Sequence, residues 1–316
     1  MKPVMSRIVV SALAAFTVSA LSAAPEIIRL GTTAVDEVES NPIVFKGVPY
    51  IFEHSRWRSL RVRRYPDLAV VTPRFKADLM MPCAYVEGDR VYVTGTRKDA
   101  ENQHGTYLIE SDDLKSWTQA REIVSNLSNV AYNTTMTKAD GRWVLATERA
   151  PGKDEKRTNG GYQMTFAEST DLKTWRKIPG TTYINNAGSP CLRYHGGWFY
   201  FFSLFEKCRT AENKPFYCMQ VARSKDLVNW TVAKRTVLEP SPDDRRPYPG
   251  IAFTADELAK MASAEDRNAS DIDMCEVDGD LLITYSWGNQ LGNEFLALAL
   301  VKGMTERAFC ESFFEE

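Results

Sequence analysis

Short apolar runs rich in Val, Ile, Tyr, Phe and Trp, broken by glycine turns, recur from Pro42 to Tyr285. That pattern predicts β-strands. Five such runs fold back as hairpins: Pro42–Phe52 around Lys46-Gly47, Cys83–Thr94 around Glu87-Gly88, and Thr135–Thr147 around Asp140-Gly141, followed by Cys191–Ser203 around Gly196-Gly197 and Asp273–Tyr285 around Asp278-Gly279. Glycine supplies the positive φ that a twisted two-residue hairpin needs.

A second pattern overlies the first. Ser111-Asp112-Asp113-Leu114-Lys115-Ser116-Trp117 recurs as Ser169–Trp175 and Ser224–Trp230, with the tryptophans 58 and 55 residues apart. Ser and Asp close a turn on local backbone groups, and Leu and Trp pack back over the blade. Five hairpins, three of them followed by this turn, predict an all-β chain folded as a five-bladed β-propeller over residues 26–316. One short helical insertion is expected between blades four and five, where Thr254–Met261 starts with a capping box.

Composition narrows the setting. The 316 residues carry 39 Lys+Arg against 41 Asp+Glu, a formal charge of −2, which gives no broad attraction to nucleic acid. With three His in all, a multi-histidine metal centre is not expected. Lys2 and Arg7, the apolar run Ile8–Ala20 and the small residues Ser22-Ala23-Ala24 read as a secretory signal over residues 1–23. The mature product is therefore expected to be exported, periplasmic or extracellular, with no membrane association after cleavage. Export permits disulfides. Of the six cysteines, Cys208 and Cys218 flank a loop they could close, and Cys83, Cys191 and Cys275 sit in strand patterns that favour buried thiols.

Inner strands of a propeller start at one mouth of the central channel, and their hairpin partners return there. The starts hold Glu39-Ser40-Asn41, Met80-Met81-Pro82, Tyr132-Asn133-Thr134, Gly188-Ser189-Pro190 and Asn268–Asp273; the returns hold Glu53–Arg56, Arg97, Glu148-Arg149, Glu206 and Trp287–Gln290. Asp271 and Asp273, two apart, share one face of a strand. Clustered carboxylates split their pKa values, and glycoside cleavage needs such a pair: an acid for the leaving oxygen and a base or nucleophile for the anomeric carbon. The candidate catalytic residues are thus Asp271, Asp273, Glu148 and Glu206. Glu53, Arg56, Arg97, Arg149, Trp287 and Gln290 are candidates to hold a sugar. Each has a plainer use. Asp271 and Asp273 serve equally to bind a structural Ca²⁺ in the channel, Glu53–Arg56 and Glu148–Arg149 to lock blades as ion pairs, and Trp287 to pack the inner blade.

The turn series, with the hairpin Ser189-Pro190-Cys191…Gly196-Gly197-Trp198-Phe199-Tyr200, resembles the five-bladed glycoside hydrolases of the family 43 type and their family 117-like relatives, over roughly Glu39 to Phe314. That resemblance implies a carbohydrate substrate and no required cofactor. It does not supply the family's three acids one by one: the matching strand starts hold Asn41-Pro42, Met81-Pro82 and Ser189-Pro190, and only Asp271/Asp273 and Glu39 keep an acid at a strand start. The expectation is a secreted glycoside hydrolase acting at an oligosaccharide terminus. A non-hydrolytic glycan-binding or Ca²⁺-stabilised scaffold is the alternative.

Overall fold

A computed structural model describes residues 24–55, 59–97, 105–125, 130–150, 162–183, 188–210 and 213–314, with backbone only at Ser55, Lys76, Thr182, Tyr183, Glu206 and Lys207. The secretory-signal segment lies outside the described residues.

The chain is all-β. After β1 (Ile28–Val35), the first antiparallel meander runs β2 (Glu37–Phe45), β3 (Val48–Ser55), β4 (Ser59–Arg64) and β5 (Val70–Lys76). The second is β6 (Met80–Glu87), β7 (Arg90–Thr96), β8 (Thr106–Ser111) and β9 (Arg121–Val124). The third is β10 (Ala131–Ala139), β11 (Arg142–Arg149), β12 (Gln163–Ser169) and β13 (Arg176–Tyr183). The fourth, β14 (Cys191–His195), β15 (Trp198–Arg209), β16 (Pro215–Ser224) and β17 (Thr231–Val232), joins the fifth through one parallel pair, Tyr217 with Asn268. That fifth meander is β18 (Asn268–Val277), β19 (Asp280–Gly288) and β20 (Glu294–Val301), and β1 from the opposite end of the chain adds its outer strand, antiparallel to β20.

All five hairpins are present, and four turn on the residues named from sequence; the second turns on Gly88-Asp89, one residue later. Thr254 caps α1 (Ala255–Ser263) in a capping box with Glu257, between β17 and β18. A second helix, α2 (Glu306–Ser312), closes the chain against the buried side chains of the last two meanders through Phe309 and Cys310.

The tryptophan turns do more than cover their own meander. In each, the Asp carboxylate accepts two backbone N–H bonds, at 2.7 Å from both Lys115 and Ser116 for Asp113, and the following Leu takes a positive φ, 62° at Leu114. Trp117 then stacks on Phe75 of the preceding meander at 5.4 Å and meets Phe52 edge-on. Trp230 likewise stacks on Phe166 of the third meander. The apolar core accordingly lies in the seams: Phe52, Val62, Val93 and Ile109 pack together between the first two meanders, and Leu192, Phe201, Ala146 and Phe166 between the third and fourth. Burial of these apolar faces is the main term holding meander to meander.

A polar collar runs inside the seams. Asn41 donates to Asp273 Oδ2 at 2.7 Å and accepts from the Ala84 N–H at 3.2 Å. Thr94 and Thr134 hydroxyls meet at 3.0 Å, and Leu192 N–H donates to Thr135 Oγ1 at 2.9 Å. Arg193 pairs with Asp273, and Thr284 Oγ1 donates to the Ser40 carbonyl at 2.8 Å. Each contact crosses one seam, and together they return to their starting meander. Cys208 and Cys218 form a disulfide across β15 and β16, whereas Cys83, Cys191 and Cys310 are buried thiols and Cys275 a half-buried one.

Candidate functional site

Strand starts from all five meanders line one axial cavity: Glu39, Ser40 and Asn41; Met81 and Pro82; Asn133 and Thr134; Ser189 and Pro190; Asp271, Ile272 and Asp273. Its innermost volume is about 20 Å³, room for roughly one water. The backbone explains why these side chains turn inward. Pairing slips by a bulge at Glu37/Ser40, Met80/Cys83, Ala131/Thr134 and Ser270/Asp273. Glu39, Met81, Ser189 and Asp271 take φ of 65°, 51°, 51° and 52°. A bulge adds one residue to a strand and re-aims its side chain.

Besides Asp273, three carboxylates gather here. Glu148, at the end of β11, is buried; its Oε2 accepts from Asn133 Nδ2 at 3.0 Å and from the Ser189 N–H at 3.2 Å. Burial pushes this carboxyl up to about 8, those two hydrogen bonds act against the rise, and the charges of Asp271 and Glu39 add to it. Asp271 is half-buried and also raised by burial, with the hydroxyls of Ser270, Ser189 and Ser286 pulling it back. The third, Glu39, has its Oε2 3.3 Å from His54 Nδ1, and burial lowers that imidazole to about 4, leaving it neutral. A protonated acid beside a half-buried carboxylate that accepts serine hydroxyls is an arrangement able to give one proton and take another.

Other sequence candidates fall elsewhere. Asp273 does not share a face with Asp271 in simple alternation, because the bulge lies between them. It also lines the cavity, but it is buried and engaged in structure, bound by Asn41, Arg193 and the Met274 N–H. Arg193 continues to Glu306 of α2 at 3.0 Å, and His195 reaches the same carboxylate at 2.8 Å. Asp273 thus ties three meanders together.

Glu53 is fully enclosed, and its partners are Arg61 at 2.5 Å and Arg63, both on β4. It has no surface left to hold a sugar. Arg149 points to the opposite face of β11 from Glu148 and donates to Gln163 Oε1 at 2.7 Å, so Glu148–Arg149 is not an ion pair. Trp287 must also be corrected. It is wholly buried, stacks on Phe295 at 4.1 Å and donates from Nε1 to Thr32 Oγ1 at 2.9 Å, so no sugar can reach its face. Arg97 lies 4.3 Å from the Tyr107 ring centroid and lines a separate cleft beside Trp117. Gln290 stands behind the site, donating to Asn268 Oδ1 at 3.0 Å and Ser270 Oγ at 3.2 Å. Arg56 and the Glu206 side chain lie outside the described residues.

Asn133, Ser189, Ser270 and the Glu39–His54 pair carry weight that the sequence did not assign them. The recurrent strand-start position was the available signal. Among the described residues no three His, Cys, Asp or Glu side chains are grouped to hold a metal ion, and no helix is long and apolar enough to cross a membrane.

No family model matches the chain, and no curated protein matches it. Solved structures do. A thermostable family-43 glycoside hydrolase aligns over 86% of this chain and 91% of its own at 12% identity, with a TM-score of 0.56. The fold is that of the family-43 glycoside hydrolases. A family-43 enzyme from Xanthomonas citri, complexed with xylotriose, aligns over 87% of this chain and 90% of its own at 12% identity and a TM-score of 0.55. A family-43 endo-arabinanase from Bacillus licheniformis does so over 85% and 95%, at 13% identity and a TM-score of 0.54. At such identities this family-43-like likeness establishes the propeller architecture and leaves the chemistry to the residues.

Proposed function

We propose that this chain is an exported five-bladed β-propeller glycoside hydrolase that cleaves a sugar unit seated over the axial cavity. The observation that carries the reading is that Glu39 and Asp271, from two meanders, line one opening and Glu148, from a third, adjoins it through Asn133 and the Ser189 N–H. Glu148, with its carboxyl near 8, is protonated at neutral pH and serves as general acid, giving its proton to the glycosidic oxygen as the C–O bond breaks. Asp271 serves as the base that takes a proton from the attacking water, whose oxygen bonds to the anomeric carbon. Asn133 and the Ser189 N–H aim the Glu148 carboxyl, and Glu39 raises its proton affinity. Xylose- or arabinose-containing polysaccharides are the proposed substrates, by analogy with the solved neighbours.

The test is turnover of aryl pentosides and of xylo- and arabino-oligosaccharides by the wild type, Glu148→Gln and Asp271→Asn. Hydrolysis by the wild type and its loss by at least a thousandfold in both variants, with melting temperatures within a few degrees, supports the assignment. Binding without turnover by the wild type would point instead to a glycan-binding scaffold. Full activity in both variants sinks the acid and base roles of Glu148 and Asp271.

A further inference from the structure

We propose that a basic cleft beside the mouth binds an anionic sugar residue of the same glycan, so that the preferred substrate is acidic. This deepens the reading of the mouth as a glycan site and rests on it. The cleft, about 870 Å³, opens where the fourth and fifth meanders meet, and Arg209, Lys214, Arg245 and Arg267 line it. Its size is that of a small-molecule site. Phe216, Pro215 and Pro240 supply an apolar wall of the kind sugar rings pack on.

Position is the first argument. β14 begins at Cys191, paired with Phe202, but β15 runs on to Arg209 and β16 returns from Pro215, so this hairpin rises past the rim of the cavity. The Cys208–Cys218 disulfide ties its two strands together. On the other side, Arg267 precedes Asn268, whose Nδ2 donates to Ser270 Oγ at 2.9 Å, and Ser270 in turn holds Asp271. Arg267 and Asp271 are four positions apart, roughly 13 Å of extended chain. A glycan with one unit over Asp271 therefore reaches the cleft with a unit further along.

Charge is the second. Among the described residues three acids share the cleft, and two are engaged: Glu265 lies 3.5 Å from Arg267, and Glu239 accepts the Thr236 hydroxyl at 2.5 Å. The third, Asp266, is pushed up to about 7 by burial and by the neighbouring Asp244 carboxylate, which removes much of its charge near neutrality. Among the described residues, four cations thus face fewer than three effective negative charges. Guanidinium and ammonium groups in a partly walled cleft make charge-assisted bonds to carboxylate or sulfate oxygens.

The probes are trigalacturonate, a sulfated oligosaccharide and neutral xylotriose, titrated calorimetrically into the wild type and into Arg209→Gln/Lys214→Gln. The wild type is expected to bind one acidic probe at least tenfold more tightly than xylotriose, and salt should erase the difference. The double variant should lose that preference while keeping its turnover of a neutral aryl glycoside. Preference for trigalacturonate identifies a uronate ligand, and preference for the sulfated probe a sulfate ester. Equal affinity for all three probes, or an acidic preference unchanged in the double variant, overturns the proposal. Failure of the hydrolase reading is seen separately, as acidic-probe binding with no turnover of any substrate.

Discussion

Ser270 donates its hydroxyl proton to Asp271 Oδ2 at 2.6 Å, because both other directions around its oxygen are taken. Asn268 Nδ2 and Gln290 Nε2 each donate to the same Oγ, at 2.9 and 3.2 Å, so the one proton of Ser270 has a single outlet. The serine is thereby a fixed donor that favours the ionised form of Asp271.

Replacing Ser270 with Ala removes this donor. Asp271, already raised by burial, should rise further, and the acidic limb of the pH–rate profile should move to higher pH. A hydrogen bond to a charged group is worth about 1.5–3 kcal/mol, so the limb should move by roughly one to two pH units. A profile of kcat against pH for Ser270→Ala checks this. An unmoved limb would separate Asp271 from the ionisation that controls the reaction.

Glu148 sets the other limb. Its folded value near 8 stands above the ordinary 4.5, so between these the native state holds a proton that the unfolded chain has lost. Wild-type stability therefore falls as pH rises through that window. Activity that needs the acid form should fall as pH passes about 8. Glu148→Gln has no proton to lose, so its urea-unfolding free energy should fall less steeply with pH over the same range, the difference from the wild type growing toward the alkaline end.

Arg193 lies between two acids, the buried Asp273 and the half-buried Glu306. Removing one member of a buried pair strands the other, at about 3–5 kcal/mol. Arg193→Met should lower unfolding stability by that order, and Arg193→Met/Asp273→Asn should recover part of it. Additive losses in this double-mutant cycle would contradict the pairing.

Trp287 makes a sharper distinction between core and site. Trp287→Ala should cost about 3–5 kcal/mol of stability by opening a cavity beside Phe295, without weakening glycan binding at a temperature where the variant is folded. Thermal melts and calorimetric binding, run side by side, decide it.

Much of the frame was legible because it rests on local rules. Apolar β-formers and Gly turns mark the hairpins whatever surrounds them, and the Ser-x-Asp-Leu turn closes on its own backbone. Glu148 and Asp271 stood out as acids adjoining apolar strands. What escaped was set by long-range register. No period reveals that a bulge parts Asp271 from Asp273, and nothing near Trp287 tells that β1, some 250 residues earlier in the chain, brings Thr32 to its indole. For Glu53 a signal existed: Arg61 and Arg63, two apart, face the same way from the next strand.

The pairing of β1 with β20 has a temporal side. Ile28 meets Leu300 and Val35 meets Phe295, so the first strand finds its neighbour only when nearly the whole polypeptide has been made. Until then the apolar edge of β20 stands bare, an invitation to the wrong strand of another molecule. Clipping the chain just after Val35 should leave every catalytic candidate in the polypeptide and yet spring the molecule open, for the clasp lies on the outer edge of the fifth meander and Asp271 on its innermost strand.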